Sequence, residues 1–202
     1  MKGILIFSDS IGFGRGESPN IGWAGRLKQD FEPKESHNCL FNLSIPGETS
    51  TSLLKRLNTE CKARIKYKRQ GDKFTIIISI GMNDSKGINN KNNINTPLPT
   101  FKKNISRIIT TVKKYSKEII LTGLTPASEE PFENTYFTNK QIETFNNVLQ
   151  ESAKIENIQF INTFKEFKKL DYKKLLADGL HPNKKGYDEL YNIIKKEVLN
   201  ML

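Results

Sequence analysis

The chain has 202 residues and a formal net charge of +10, with 27% of its residues charged and 36% hydrophobic, a balance that excludes a disordered chain. The length suits one ordinary domain, residues 1–202, able to bury roughly 70% of the surface its unfolded chain exposes. The positive charge is dispersed over lysines such as Lys28, Lys55, Lys102, Lys140 and Lys173, with no zinc-finger spacing, helix-turn-helix glycine pattern or RNP-like aromatic string, so no nucleic-acid partner is expected.

Residues 3–8 (GILIFS) are short, continuous and apolar, the pattern of a buried strand. This apolar start is shorter than a signal peptide's hydrophobic region, and no small-residue cleavage site follows it. No run approaches the ~20 apolar residues that span a bilayer. A cytoplasmic location is therefore expected. Residues 20–31 read as a helix and 39–45 (CLFNLSI) as a second strand. Leu53, Leu54, Leu57, Cys61 and Ile65 share one helical face, and the basic run 61–70 (CKARIKYKRQ) keeps that spacing. Residues 74–80 (FTIIISI) are the most β-branched run and the third strand. A polar, Asn-rich loop follows at 83–99. Phe101, Ile105, Ile108, Ile109 and Val112 form the next stripe, and 117–124 (KEIILTGL) the fourth strand. After a Pro- and Glu-containing loop at 125–137 come a stripe at Ile142, Phe145, Val148 and Leu149, a fifth strand at 157–163 (NIQFINT), and a last stripe at Tyr187, Leu190, Tyr191, Ile194 and Val198.

Strands alternating with helices imply a parallel sheet covered on both faces, with the first and third strands central. Helix-on-sheet packing accounts for every stripe, so none specifies an oligomer. Cys39 and Cys61 form no CxxC and stand by no histidine cluster, so both are expected as buried free thiols. Two cysteines make no disulfide framework. No carboxylate–histidine group has metal-ligand spacing, and no metal or cofactor is expected. Gly12, Gly14 and Gly16 lack the G-x-G-x-x-G spacing and no Walker lysine follows, which excludes a dinucleotide or P-loop site.

Open parallel sheets place their sites at the carboxyl ends of the strands, near the point where strand order reverses. Those ends carry groups that make sense together. The first strand ends in Asp9-Ser10, the second runs into SIPGET with Gly47, the third into GMND with Asn83, and near the C-terminus DGLHP sets Asp178 three residues before His181. Acyl transfer needs a hydroxyl nucleophile, an imidazole to take its proton, a carboxylate to fix the imidazole tautomer, and donors for the oxyanion. Ser10 supplies the hydroxyl, His181 can supply the base, and Asp178 is within one turn of it. The Ser10 N–H, the Gly47 N–H and the Asn83 amide can serve the oxyanion. Each block alone has a plainer reading: Asp-Ser as a turn or N-cap, PGET as a β-turn, DGLHP as a helix entry with Asn183 near the N-cap.

In this order the blocks resemble the GDSL-like, or SGNH, hydrolase family of serine esterases and lipases, named for a Ser, a Gly, an Asn and a His: here Ser10, Gly47, Asn83 and His181. The resemblance spans nearly the whole chain. It implies a three-layer α/β/α sandwich with a flavodoxin-like five-stranded parallel sheet, and ester hydrolysis by a Ser10–His181–Asp178 triad with Ser10, Gly47 and Asn83 as the oxyanion hole. Two positions depart from the family pattern: Ser8 stands where Gly is usual and is expected to tighten the turn, and Ile11 replaces Leu.

His37, in a polar connector, is the one rival for the base. Trp23 and Phe13 read either as acyl-pocket walls or as core and loop contacts. Asp84 either holds its loop or is solvated. The two long loops either flank the site or are ordinary surface. The expected partner is a small-molecule ester, with a small acyl group such as acetyl on a polar or carbohydrate alcohol. The alternatives are a lysophospholipase, a thioesterase, or a binding module on the same fold. The basic balance adds the expectation of an anionic substrate.

Overall fold

A computed structural model describes residues 1–65, 69–131 and 133–199. Part of the basic run 61–70 and one position of the 125–137 loop therefore lie outside the described residues. Five strands form one all-parallel sheet: β1 (Lys2–Ser8), β2 (Cys39–Asn42), β3 (Lys73–Ser79), β5 (Glu118–Thr122) and β7 (Gln159–Ile161), in the order β2-β1-β3-β5-β7. β1 and β3 are neighbours over their full length, Gly3 opposite Phe74 and Ser8 opposite Ser79. Their side chains from Ile4 to Phe7 and from Phe74 to Ile78 are buried, which is why these runs are apolar without alternation.

Helices α3 (Ser50–Ile65), α5 (Leu98–Val112) and α6 (Asn139–Glu156) pack side by side on one face. Helices α2 (Gly22–Phe31) and α8 (Lys184–Leu199) pack on the other, with α7 (Thr163–Lys168) against α8. The stripe on α5 is the clearest: Phe101, Ile105, Ile108, Ile109 and Val112 have no solvent exposure, and Phe101 meets Phe145 of α6 with ring centroids 4.7 Å apart. Each such side chain contributes about 1.5–3 kcal/mol of burial. Chain order departs from spatial order once, between β1 and β3, and this is the switch point of a doubly wound sheet. Two single helical turns, α1 (Ser10–Phe13) and α4 (Met82–Ser85), follow β1 and β3 on that rim.

Several sequence expectations need adjustment. The second strand ends at Asn42, not 45. Leu43 and Ile45 still donate to the Ile6 and Ser8 carbonyls, at 2.8 and 2.9 Å, but the Asn42 side chain turns the chain by accepting from the Ser44 amide and hydroxyl. The fifth strand shortens to 159–161 because Asn157, at φ 50°, ends α6 and Asn162 begins α7. Cys61 is buried but Cys39, on the edge strand, is half-exposed, as is Leu54 on the flank of its stripe. The two long loops meet in a small antiparallel ribbon, β4 (Gly87–Ile88) with β6 (Thr135–Tyr136). No helix among the described residues is long and apolar enough to cross a membrane.

Candidate active site

Ser10 opens the turn α1 directly after β1. Asp9 caps that turn, its Oδ1 accepting the Ile11 N–H at 2.9 Å. His181 lies across the rim with Nε2 2.9 Å from Ser10 Oγ and Nδ1 2.7 Å from Asp178 Oδ2. With its proton on Nδ1, the ring donates to Asp178 and accepts from the Ser10 hydroxyl. Burial works against the ionised Asp178. The bonds it accepts from the His181 ring, the His181 N–H (2.8 Å) and the Leu180 N–H (3.0 Å) outweigh that, and hold its carboxyl below the usual range.

The loop carrying His181 is closed on itself: Ala177 donates to the His181 carbonyl at 2.8 Å, and Asn183 donates to the Leu175 carbonyl at 2.8 Å. Asn183 also caps α8, its side chain accepting the Gly186 N–H at 3.0 Å. Gly16 lets the nucleophile loop approach this one. At φ 97°, a Cβ there would stand 2.4 Å from the Pro182 carbonyl oxygen and 2.9 Å from His181 Cβ.

The remaining two blocks reach the same cleft. Ile45-Pro46-Gly47-Glu48 is a β-turn closed by Glu48 N–H to the Ile45 carbonyl, 3.1 Å, with Gly47 at φ 80° as its third position requires. A Cβ on Gly47 would meet nothing within 4 Å, because the residue faces the open cleft. Asn83 lies in the turn α4 after β3 and donates one amide hydrogen to the Glu48 carbonyl at 3.1 Å. Ser10, Gly47, Asn83, Asp178 and His181 thus line one cleft of about 450 Å³. Arg15, Pro46, Lys86, Glu133, Thr135, Phe137 and Leu180 contribute its walls.

Behind this floor stands a set of buried acids, of which the sequence singled out only Asp84. Asp84 has no solvent exposure and holds the loop: its carboxylate accepts the Ser50 N–H at 2.8 Å and the Ser50 hydroxyl at 2.6 Å, tying Asn83 to the start of α3. Burial raises its pKa above the usual range. Glu48 is buried against Arg56, which donates from Nε at 2.8 Å and from a second nitrogen, and which also donates to the Leu43 carbonyl at 2.6 Å. Asp9 is buried beside a cavity of about 10 Å³ lined by Thr122, Thr125 and Trp23. Burial, with the nearby charges of Asp84 and Glu48, pushes its carboxyl up to about 7.

The other candidates fall elsewhere. His37 is exposed in its connector, away from the cleft. Trp23 is a core residue behind Asp9, and Phe13 is absent from the cleft walls; among the described residues the apolar walls are Pro46, Phe137 and Leu180. Ser8 does not tighten the turn, since its buried hydroxyl has no partner among the described residues. It fills space against Gly12, where a Cβ would lie 2.5 Å from Ser8 Oγ. Both long loops reach the cleft, through Lys86 and through Glu133, Thr135 and Phe137. Among the described residues no group of three His, Cys, Asp or Glu could hold a metal ion.

Residues 9–189 match the GDSL-like Lipase/Acylhydrolase family. The chain belongs to that family. The family's members are carboxylic ester hydrolases. A curated relative, the isoamyl acetate-hydrolyzing esterase of Saccharomyces cerevisiae, is 30% identical over 115 residues, 49% of this chain and 48% of the relative. The chain therefore matches about half the length of that protein. Among solved structures, a lipase/acylhydrolase from Enterococcus faecalis is similar at TM-score 0.78 and 24% identity, over 100% of this GDSL-like chain and 97% of the other. An acetyl xylan esterase variant from Geobacillus stearothermophilus is similar at TM-score 0.71 and 20% identity, over 97% and 94%. At these identities the structural likeness is one of fold.

Proposed function

We propose that this GDSL-like chain hydrolyses carboxylic esters of small acyl groups, acetyl foremost, on a polar alcohol, through an acyl-enzyme on Ser10. The observation that carries the reading is the unbroken hydrogen-bonded chain Ser10–His181–Asp178 opening into a cleft where Arg15, Lys86, Glu133 and Thr135 stand beside Pro46, Phe137 and Leu180. Ser10 Oγ attacks the carbonyl carbon and its proton passes to His181 Nε2. The oxyanion that forms is met by the Ser10 and Gly47 N–H groups and by the Asn83 amide, one hydrogen of which the Glu48 carbonyl already orients. The tetrahedral intermediate collapses, and the departing alkoxide takes the proton from His181. Water, deprotonated by the same ring, then releases the acid and restores Ser10.

Asp178 stays ionised through this cycle because its carboxyl lies below the usual range. Its negative charge offsets the positive charge that His181 takes on with the Ser10 proton. A small acyl group is supported by the walls: among the described residues, Pro46, Phe137 and Leu180 are the main apolar side chains of the cleft, set among charged and polar ones. The acetyl esters named for the yeast relative and the xylan esterase fit that size.

The test is turnover of p-nitrophenyl acetate and p-nitrophenyl octanoate by the wild type and Ser10→Ala. Acetate is expected to be preferred, and Ser10→Ala to lower kcat by about 10³-fold or more. Octanoate preference would move the substrate to longer acyl chains or thioesters. Equal activity in Ser10→Ala would overturn the mechanism.

A further inference from the structure

Two cations stand in the walls of the cleft. Arg15 follows the nucleophile turn, and its backbone is held on both sides: its N–H donates to the Ser10 carbonyl at 3.0 Å, and its carbonyl accepts the Tyr187 hydroxyl at 2.6 Å. Lys86 comes three residues after Asn83, and its carbonyl accepts the Asn95 N–H at 2.9 Å. Arg15 is thus tied to Ser10, and Lys86 through Asn95 to Asn83, whose carbonyl accepts the Asn95 side-chain amide at 2.7 Å; both line the same cavity.

These cations are uncommitted. Arg26 is paired with Glu17 and Asp188, Arg56 with Glu48, and Arg64 with Glu60. Among the described residues neither Arg15 nor Lys86 has a carboxylate within 4.0 Å or a side-chain hydrogen bond. Among the described residues the cleft carboxylates are Asp178 and Glu133. Asp178 is engaged by His181, which leaves Glu133 alone against two cations. A guanidinium fork and an ammonium flanking a reaction site match a carboxylate or phosphate, the guanidinium by two parallel bonds and the ammonium as a point charge.

We propose that the ester cleaved in this cleft carries an anionic group, carboxylate or phosphate, which Arg15 and Lys86 bind. This rests on the ester-hydrolysis reading above. It differs from a general effect of the +10 net charge, which would speed the approach of any anion and would not depend on these two positions.

The experiment compares matched acetyl esters. O-acetylglycolate is set against 2-acetoxyethanol for the carboxylate, and 1-acetylglycerol 3-phosphate against 1-acetylglycerol for the phosphate. Wild type, Arg15→Gln/Lys86→Gln and a charge-matched control, Lys55→Gln/Lys103→Gln on exposed faces of α3 and α5, are assayed in parallel. The wild type is expected to favour the anionic member of at least one pair by about tenfold in kcat/KM, chiefly through KM. The preference should shrink as salt rises from about 0.02 to 0.3 M. It should collapse in the cleft double variant, persist in the control, and grow in Glu133→Gln. The pair with the larger ratio names the anion. Parity within both pairs would overturn the proposal, and so would a preference that falls equally in the control. Absence of Ser10-dependent cleavage of all four esters would instead overturn the esterase reading and this proposal with it.

Discussion

The floor of the cleft and its walls are built in opposite ways. The floor groups Ser10, Asn83 and His181 sit on short turns at strand ends or on a closed loop, and buried acids fix two of the blocks: Asp84 on Ser50, and Glu48 on Arg56. The walls draw on long loops, with Arg15 and Glu133 exposed and without ion pairs among the described residues. A floor held by buried hydrogen bonds can keep one reaction geometry. The exposed wall side chains, unlike buried Phe137 and Leu180, can change without disturbing the core, so substrate choice can vary while the chemistry stays.

The strongest test of the floor is the orienting carboxylate. Asp178→Asn keeps the size of the side chain but favours the wrong imidazole tautomer. Its kcat is expected to fall about 10³–10⁴-fold, with the fold intact by circular dichroism. A loss under tenfold would mean that His181 is oriented by its loop alone.

Next in size is the support beneath the floor. Glu48→Ala leaves the Arg56 guanidinium, itself largely buried, facing the Leu43 carbonyl, the Phe7 ring and the half-exposed Glu60. The expected cost is about 3 kcal/mol in urea unfolding, since removing one partner strands the other charge. Because Glu48 follows Gly47 and its carbonyl orients Asn83, kcat should fall with it. Replacing both Glu48 and Arg56 by apolar residues should recover stability but not kcat. Recovery of both would separate this pair from the oxyanion groups.

Asp9 gives an effect that is spread over pH and has a sign. Its carboxyl ionises near 7 when folded, against an unfolded value of 3.8. As pH rises from about 4 to 7 the unfolded chain releases this proton and the folded chain keeps it. The Asp9 contribution to stability is therefore full below about 4 and is lost toward 7, by up to about 1.4 kcal/mol per pH unit. Asp9→Asn keeps an acceptor for the Ile11 N–H and removes the titration. Its stability relative to the wild type should climb between pH 4 and 7 and then level off. Parallel stability curves would mean that Asp9 is ionised in the fold.

Much of this was legible in the sequence, and the reason is physical. The sheet could be read because β1 and β3 are buried on both faces and must be apolar throughout, and because the α5 stripe repeats at helical spacing without a gap. The candidate floor could be read because its residue types are chemically distinctive and each follows a strand or sits in a Gly-marked turn. What stayed hidden were partnerships between distant residues. Glu48 read as part of the PGET turn, and only the fold brings its carboxylate to Arg56 in a buried place. Asp9 read as a turn or N-cap residue and does cap α1, but nothing local says that Trp23 and Thr125 will enclose it. Strand ends were overrun at 43–45 because Leu43 and Ile45 do continue the ladder to β1, while the Asn42–Ser44 side-chain bonds that end it leave no periodic mark.

The smallest effect is the one that separates walls from floor. Arg15 is exposed and its side chain has no partner among the described residues, so Arg15→Gln should move unfolding free energy by less than about 0.5 kcal/mol. Neighbouring Gly16 offers the contrast within one loop. Gly16→Ala puts a methyl 2.4 Å from the Pro182 carbonyl at a strained φ of 97°, and should cost well over 1 kcal/mol while pushing His181 away from Ser10. If the two substitutions cost the same, the loop is not divided into a structural and a recognition position. If Arg15→Gln is silent in stability and Gly16→Ala lowers kcat on every ester, adjacent residues serve the wall and the floor separately.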